Sequence, residues 1–361
     1  MGSPAGVVVR TGRALDAFAV LFVVLFVVLV VVRLALLVRP RAVGFAMSGQ
    51  NNIAAVSVDL DAIECYWRIH ALPGAPPTES RHAVLRRCLP RFADLFARAG
   101  VKATFFVVGQ DLEDDDLGRS LLAALADEGH ELASHSFTHP YDLVRRSRAE
   151  IAVELDRAHA AIEACAGRPP VGFRAPGYEV SAEVIELLCE RSYRYDSSVF
   201  PSIPYYGAKA LVMAAMRILG KKSGSILGSS RVLGAPTEPY HPAAGDPHRE
   251  GNLPILELPI AVTPRLRLPV IGTSLITFPG WARRPMVAAA SRQALFNLEL
   301  HGIDLADAEA DGFPAELVAR QPDLRRPLAA KLAALEATLA EAKAAGARFQ
   351  TLADAALTLP A

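Results

Sequence analysis

The sequence lacks an excess of charge of either sign, and this absence limits the partners that the protein can have. It contains 38 lysine and arginine residues and 38 aspartate and glutamate residues, so its formal net charge is zero when histidine is neutral. Nucleic-acid-binding proteins typically carry a basic excess or a basic stripe. We therefore expect no nucleic-acid partner.

Cysteine is also scarce. The four cysteines, at positions 65, 88, 165 and 189, form neither a CxxC motif nor a paired spacing. This pattern indicates isolated thiols rather than a disulfide framework or a cysteine-based zinc site. The sequence contains no visible internal repeat, and 361 residues suffice for one large α/β domain or two smaller ones. Oligomeric state stays open.

The most apolar part of the sequence lies near its start. Residues 17–32 are uninterrupted apolar residues, and the run continues past Arg33 to Val38. A helix of this length spans about 33 Å, which is enough to cross a bilayer core. We interpret residues 1–47 as a single-pass membrane anchor, and predict a location in the cell inner membrane. The flanking arginines are too evenly distributed to fix its orientation. If translation starts at Met47 instead, the protein would be cytoplasmic.

After this run, short strands alternate with amphipathic helices. Polar residues follow several of the strands directly, as in a (β/α) barrel whose active site is built from loops at one face. We therefore predict that residues 48–361 form an α/β catalytic domain, with an irregular Pro-, Gly- and Ser-rich insertion at about 201–251. The predicted strands are residues 53–58, 101–108, 129–135, 171–174, 193–196, 255–259, 291–301 and 348–352, and the predicted helices are 81–99, 117–128, 149–166, 181–191 and 326–344.

Two histidines, His135 and His139, are the most informative residues of the chain. They follow an acidic pair, Asp59 and Asp61, that ends the first predicted strand. Two imidazoles and one carboxylate form a common ligand set for a divalent metal, and the second carboxylate is then free to act as a base. A strand precedes the histidines and Pro140 follows them, which favours a strand-end loop over the helix of zincin proteases. A pair of surface histidines is the alternative interpretation.

Five short motifs follow one another along the chain: DLD at 59–61, SHSFTH at 134–139, RAPGY at 174–178, YDSS at 195–198 and LELH at 298–301. In this order they resemble the motifs of the polysaccharide deacetylases, the NodB-homology proteins of carbohydrate esterase family 4. The acidic pair has an Asp-x-Asp form, with Ala62 where the wider family has glycine. This form resembles the branch that includes peptidoglycan-deacetylase-like and allantoinase-like proteins.

The resemblance implies a distorted (β/α) barrel and a role for each of these motifs. The implied metal ligands are Asp61, His135 and His139; zinc is the expected ion, although cobalt, nickel or iron would also suit them. Asp59 would be the general base, and Arg174 would hold this base and lower its pKa. The backbone N–H of Tyr178 would contact the oxyanion. His301 would be the general acid, and Asp196 would tune it.

The implied activity is metal-dependent hydrolysis of an N-acyl amide, acetyl or formyl, on an amino sugar of a glycan or a glycolipid. A membrane partner is expected from the apolar run and from the basic, amphipathic residues 205–222, for which an ordinary helix packed on the barrel is the other interpretation. Two alternatives remain at this point. One is an allantoinase-like amidohydrolase of a small cyclic amide or ureide, and the other is an inactive, membrane-tethered glycan-binding module.

Overall fold

The computed structural model describes residues 52–218, 220 and 222–359. The predicted membrane anchor at 1–47 therefore lies outside the described residues. Within the described part of the chain, no helix combines the length and the apolar character that crossing a bilayer requires.

Ten strands occur among the described residues, and eight of them form one parallel sheet. The order in this sheet is β10-β1-β2-β3-β4-β5-β8, with β9 beside β1, while β6 and β7 form a separate antiparallel hairpin. The strands are β1 Ile53–Asp59, β2 Thr104–Val107, β3 Glu131–Ser134, β4 Gly172–Phe173, β5 Tyr195–Asp196, β6 Pro242–Ala243, β7 Asp246–Glu250, β8 Leu256–Glu257, β9 Leu295–His301 and β10 Arg348–Phe349.

Strand β1 lies at the centre of the sheet and is buried along its whole length. All seven of its residues pair with β9, and this register places Asp59 opposite His301. Since a strand has only two edges, β10 and β2 share the other edge. Accordingly, β10 pairs with the first two residues of β1 and β2 pairs with the last three.

The sheet curls so that the segment after β8 approaches β9. The backbone N–H of Ala261 donates to the carbonyl of Asn297 at 3.0 Å. The side-chain amide of Asn297 donates to the carbonyl of Leu258 at 2.9 Å. The predicted α/β class is thus confirmed, and the architecture is a curled parallel half-barrel, consistent with the expected (β/α) barrel.

Helices cover the sheet and end where the sequence predicts. Gly100 and Gly167 adopt left-handed φ values of 58° and 67° immediately after two of them, a conformation that favours glycine. Ser147 and Glu150 form a capping box, and Ser181 caps a third helix. The helices are Ile63–Ile69, Thr78–Arg81, Leu89–Ala99, Gly109–Asp114, Asp116–Asp127, Arg148–Ala166, Ala182–Glu190, Ile203–Ile218, Gly272–Thr277, Gly280–Ala290, Ala315–Val318, Leu328–Ala344 and Leu352–Thr358.

Residues 201–251 depart from the expected irregular insertion. They contain the 16-residue helix Ile203–Ile218 and the β6–β7 hairpin. The prediction of an irregular segment was wrong for these parts, because regular elements form between the Pro, Gly and Ser residues, and residues 205–218 of the amphipathic segment lie in this helix. The fold thus places a regular helix close to the carboxyl ends of the sheet strands.

Candidate active site

The predicted site residues meet at the carboxyl edge of the parallel sheet. Asp59 ends β1 and His301 ends β9, while His135 follows β3 and Arg174 follows β4. Asp61 and His139 extend from the loops after β1 and β3. The edge gathers them because parallel strands all point their carboxyl ends to the same side.

Asp61, His135 and His139 converge on one point. Both histidines place Nε2 at 3.2 Å from the same oxygen, Oδ1 of Asp61. The candidate ligand atoms of the three residues all lie within 4.8 Å of one another, and all three side chains are buried.

The outer nitrogen of each imidazole is held by a neighbour. Nδ1 of His135 lies 2.7 Å from the carbonyl of Arg174, so this nitrogen carries the proton and Nε2 presents its lone pair. Nδ1 of His139 lies 3.3 Å from the thiol sulfur of Cys65. Oδ1 of Asp61 and Nε2 of His139 are buried without a hydrogen-bond partner, although buried polar atoms are normally paired.

This donor set fits a divalent metal ion. Burial would raise the pKa of Asp61, but the neighbouring histidines lower it well below its ordinary value. Burial also lowers the pKa of His139, which favours the neutral imidazole. Burial would lower the pKa of His135 as well, but Asp59 and Asp61 raise it above its ordinary value. A carboxylate oxygen and two converging imidazole nitrogens are the donor atoms that zinc and related ions bind, and binding of the ion displaces any proton that they carry.

Asp59 is clamped beside this cluster by a buried guanidinium. Nη1 of Arg174 lies 2.5 Å from Oδ1 of Asp59, and the guanidinium carbon lies 4.1 Å from the centre of the Phe106 ring. Arg174 also donates to the backbone carbonyl and hydroxyl of Ser197, both at 2.9 Å. The structure therefore places Arg174 where it can hold Asp59.

Two opposing effects act on the pKa of Asp59, and the lowering expected from Arg174 is one of them. Burial raises this pKa, and although Arg174 lowers it, burial has the larger effect. A carboxylate with a raised pKa accepts a proton more readily. Arg174 thus positions the carboxylate without making it a weaker base overall.

His301 is paired with the carboxylate of Glu299, a residue for which the sequence motifs predicted no role. Nδ1 of His301 lies 2.8 Å from Oε1 of Glu299, which is completely buried. Burial would lower the pKa of His301, but Glu299 raises it well above its ordinary value. The hydroxyl of Tyr178 lies 3.3 Å from Nε2 of the same histidine. The imidazole is therefore oriented from both of its nitrogens.

The role expected for Asp196 was wrong in its choice of partner. Oδ1 of Asp196 accepts a 2.6 Å hydrogen bond from the hydroxyl of Ser198, whose oxygen accepts one of 2.8 Å from the N–H of Ala175. Burial raises the pKa of Asp196 and that of its carboxyl neighbour Glu257. Asp196 turns to these groups because β5 lies between β4 and β8, whereas His301 ends β9 on the far side of β1.

The backbone N–H of Tyr178 is not a free oxyanion donor in this structure. It donates to the carbonyl of Ala175 at 3.0 Å, in a turn in which Gly177 and Tyr178 have φ values of 64° and 65°. The residue instead directs its hydroxyl toward His301. In this conformation the N–H of Tyr178 is therefore engaged within the turn, and the residue contacts the site through its hydroxyl.

Glu299 could have been found from the alternation of β9. Asn297, Glu299 and His301 are polar at every second position, and Leu298 and Leu300 separate them. Alternate residues of a strand face the same side, so a carboxylate two residues before the histidine is its natural neighbour. The contact between Cys65 and His139 had no comparable signal, since 74 residues separate the two.

A family model for polysaccharide deacetylase matches residues 82–195. The chain contains a polysaccharide deacetylase domain. The family resemblance inferred from the motifs is thus confirmed. The matched segment includes His135, His139 and Arg174, whereas Asp59 and His301 lie outside it.

Two similar proteins are a peptidoglycan deacetylase of Helicobacter pylori and a chitooligosaccharide deacetylase of Bradyrhizobium sp. The first is 27% identical over 157 residues, which are 43% of this chain and 52% of the relative. The second is 39% identical over 90 residues, which are 25% of this chain and 39% of the relative. The chain thus spans about half the length of the first relative and less of the second.

The fold is similar to that of a crystal structure from Mycobacterium smegmatis that is named for the polysaccharide deacetylases. The TM-score is 0.54 at 20% sequence identity, and the match covers 88% of this chain and 93% of the other. This similarity supports the fold of the polysaccharide deacetylase domain along most of its length.

Proposed function

We propose that this protein hydrolyses an N-acyl amide on an amino sugar with the help of a bound divalent metal ion. The observation that carries the proposal is the convergence of three buried groups, Asp61, His135 and His139, directly beside the clamped carboxylate of Asp59. A purely structural site would have no need for unsatisfied buried atoms next to a second carboxylate.

Asp61, His135 and His139 would hold the metal, for which zinc is the first choice and cobalt, nickel or iron the alternatives. When bound, such an ion polarises the amide carbonyl and lowers the pKa of water. The protein itself holds both imidazoles in the required orientation through the carbonyl of Arg174 and the thiol of Cys65.

Asp59 would act as the general base. Its carboxylate takes a proton as the oxygen of water joins the acyl carbon, and burial favours this by raising its pKa. Arg174 is fully buried and bonded to Ser197, so it keeps the carboxylate in one place during the transfer.

His301 would act as the general acid. It donates a proton to the nitrogen as the C–N bond breaks, which releases a free amine and a short carboxylic acid. Glu299 raises the pKa of His301, so the imidazole stays protonated at a higher pH than usual. The hydroxyl of Tyr178 would orient the imidazole from its other nitrogen.

We infer an N-acylated amino-sugar glycan or glycolipid as the substrate, with acetyl or formyl as the acyl group. The names of the two relatives support this class, since one is a peptidoglycan deacetylase and the other a chitooligosaccharide deacetylase. We further propose that residues 1–47 anchor the protein in the inner membrane and that residues 48–361 form the catalytic domain.

The test uses the full chain, wild type and two variants. We expect stoichiometric metal in the wild type, its loss in His135→Ala, and release of acetate or formate that Asp59→Asn abolishes. The substrates are N-acetylglucosamine oligomers, a lipid-linked N-acetyl amino sugar and allantoin. Asp94→Asn, at an exposed position, is the matched control and should behave like the wild type.

Two results would contradict the proposal. If the wild type binds no metal even after reloading with zinc or cobalt, the site is not a metal-dependent hydrolase site, and a glycan-binding module becomes the better description. If allantoin alone is hydrolysed, the protein is an amidohydrolase of ureides and the amino-sugar assignment is wrong.

A further inference from the structure

The helix Ile203–Ile218 is a long helix beside the site, yet it has no buried side chain. Apart from Arg217, the exposed residues of this helix are all apolar or glycine. Along the chain they follow one another at intervals of four, four, three and four residues. This spacing places them on one face of the helix. We call this face the exposed stripe; it consists of Ile203, Gly207, Leu211, Ala214 and Ile218.

The exposed stripe presents more apolar surface than an ordinary surface helix. Ile203, Leu211 and Ile218 are 50%, 48% and 85% exposed. A contiguous apolar face of this kind marks an interaction site more often than a free surface. Nothing else among the described residues covers it.

Other residues of the helix connect it to the candidate active site. The rings of Tyr205 and Tyr178 lie 6.0 Å apart, and the hydroxyl of Tyr178 contacts His301. The amine of Lys209 donates to the carboxylate of Glu179 at 2.8 Å and to the carbonyl of Gly177 at 3.3 Å. The helix that carries the exposed stripe thus also contacts residues that neighbour the candidate active site.

One more exposed apolar residue, Leu266, lies outside the helix and close to its first residues. Leu266 is 36% exposed and stands between Arg265 and Arg267 in a short loop. The hydroxyl of Ser202 donates to the carbonyl of Arg267 at 2.9 Å, which fixes the loop against the start of the helix. An exposed leucine between two arginines is a combination that suits a headgroup region.

The charge of both segments is of one sign, although the whole chain is neutral. Residues 197–237 contain no aspartate or glutamate and five lysines or arginines, and residues 258–298 likewise contain no acidic residue and five arginines. In the structure, the cations Lys209, Arg231, Arg283 and Arg284 are paired with carboxylates. Arg217 and Arg265 are exposed and form no salt bridge among the described residues, so these cations and the apolar stripe complement an anionic lipid surface. The apolar run at 17–32 offers a means of bringing the domain to a membrane.

We propose that the exposed stripe and the loop at 264–267 dock on an anionic lipid bilayer, so that the site acts on an N-acyl amino sugar linked to a lipid. The docking is independent of the enzymatic activity, whereas the substrate class rests on the proposed function. The bilayer would cover the apolar stripe and pair its headgroups with Arg217 and Arg265.

A local probe tests the docking, because the apolar N-terminal run of the full chain would bind vesicles in any case. Leu211→Cys and, as a control, Val153→Cys carry an environment-sensitive fluorophore in the reconstituted full chain. Val153 is 56% exposed on the helix Arg148–Ala166, outside the proposed surface. The unsubstituted protein, labelled in parallel, corrects for the native cysteines.

We expect a brighter and blue-shifted signal at position 211, but not at 153, in vesicles of equimolar phosphatidylcholine and phosphatidylglycerol. The shift should be smaller in phosphatidylcholine alone. Equal signals at both positions in both vesicles would overturn the docking. A shift at 211 that follows protein density rather than lipid composition would also overturn it, because a second copy of the chain would then cover the stripe.

Turnover tests the substrate class separately. Leu211→Glu should lower hydrolysis of a polyprenyl-linked N-acetyl amino sugar in vesicles by about tenfold or more. The same variant should leave hydrolysis of soluble N-acetylglucosamine oligomers unchanged, as should the control Val153→Glu with either substrate. An equal loss on both substrates would refute the lipid-linked class. If the wild type hydrolyses neither substrate, the proposed function fails, while the fluorophore still decides the docking.

Discussion

Replacing Glu299 with glutamine isolates the contribution of one charge to the proposed general acid. The side chain keeps its shape and loses the anion that lies 2.8 Å from Nδ1 of His301. Because Glu299 raises the pKa of His301, the imidazole of the variant should lose its proton at a lower pH. The basic limb of the pH–rate profile, where activity falls as the acid deprotonates, should then move to lower pH.

The size of the effect follows from the burial of the pair. Glu299 is completely buried and the His301 side chain is only 23% exposed, so solvent screens the interaction little. A hydrogen bond to a charged group contributes about 1.5–3 kcal/mol. If that energy is lost from the protonated state, the basic limb should move to lower pH by about 1 to 2 pH units, and kcat at a pH above the wild-type limb should fall about 10-fold to 150-fold.

The assay is kcat and kcat/KM over a range of pH on a soluble N-acetylglucosamine oligomer, for the wild type, Glu299→Gln and Asp196→Asn. The second variant is the matched control, since Asp196 is equally buried but is bonded to Ser198. Thermal unfolding of both variants establishes that the fold is kept. His301→Ala should remove the basic limb altogether.

One pattern of results would refute this reasoning. If Asp196→Asn displaces the basic limb and Glu299→Gln leaves it in place, then Asp196 tunes the acid histidine, as the sequence motifs first suggested. An unchanged profile in His301→Ala would show that the limb belongs to another group.

Three further predictions concern the buried groups of the site. Arg174→Met should lower the free energy of unfolding by about 3–5 kcal/mol in urea titrations, because it leaves the carboxylate of Asp59 buried and unpaired. The double variant Arg174→Met/Asp59→Asn should recover most of this loss. An unchanged urea midpoint in Arg174→Met would contradict the prediction. Cys65→Ala should weaken zinc affinity about 10-fold to 100-fold in chelator competition, since its thiol contacts the imidazole of His139, a proposed metal ligand, whereas Cys165→Ala should leave the affinity unchanged. Chelators should abolish activity that zinc or cobalt restores in the wild type but not in His135→Ala, and activity that survives complete metal removal would show that the ion is dispensable.

The position of the site could be predicted from the sequence because parallel strands share one carboxyl edge. Asp59, His135, Arg174 and His301 each follow or end a strand that its own residue pattern indicates. The histidine pair and the acidic pair therefore had to meet wherever their strands met. The local signals for helix ends, such as Gly100, were equally direct.

The partners within the site could not be predicted in the same way. The pairing of His301 with Glu299 rather than Asp196 depends on β9 lying beside β1, and this register joins residues far apart in the chain. The hydrogen bond from the N–H of Tyr178 to the carbonyl of Ala175 depends on the left-handed backbone of Tyr178 itself. Non-glycine residues seldom adopt this conformation, and no sequence pattern predicts it here. Burial likewise decides the pKa of Asp59, and burial is a property of the whole fold.

The central position of β1 has a consequence for how the chain folds during synthesis. One edge of β1 pairs with β9, and the pairing of the other edge is completed only by β10. Both edges therefore stay incompletely paired until residues far downstream of 53–59 have been synthesised. Such distant pairings fold slowly, and an unpaired apolar strand is prone to aggregate while it waits. A fragment limited to residues 82–195 would lack the central strand altogether. We therefore expect the nascent chain to need protection until β9 has left the ribosome, and the isolated fragment to be insoluble.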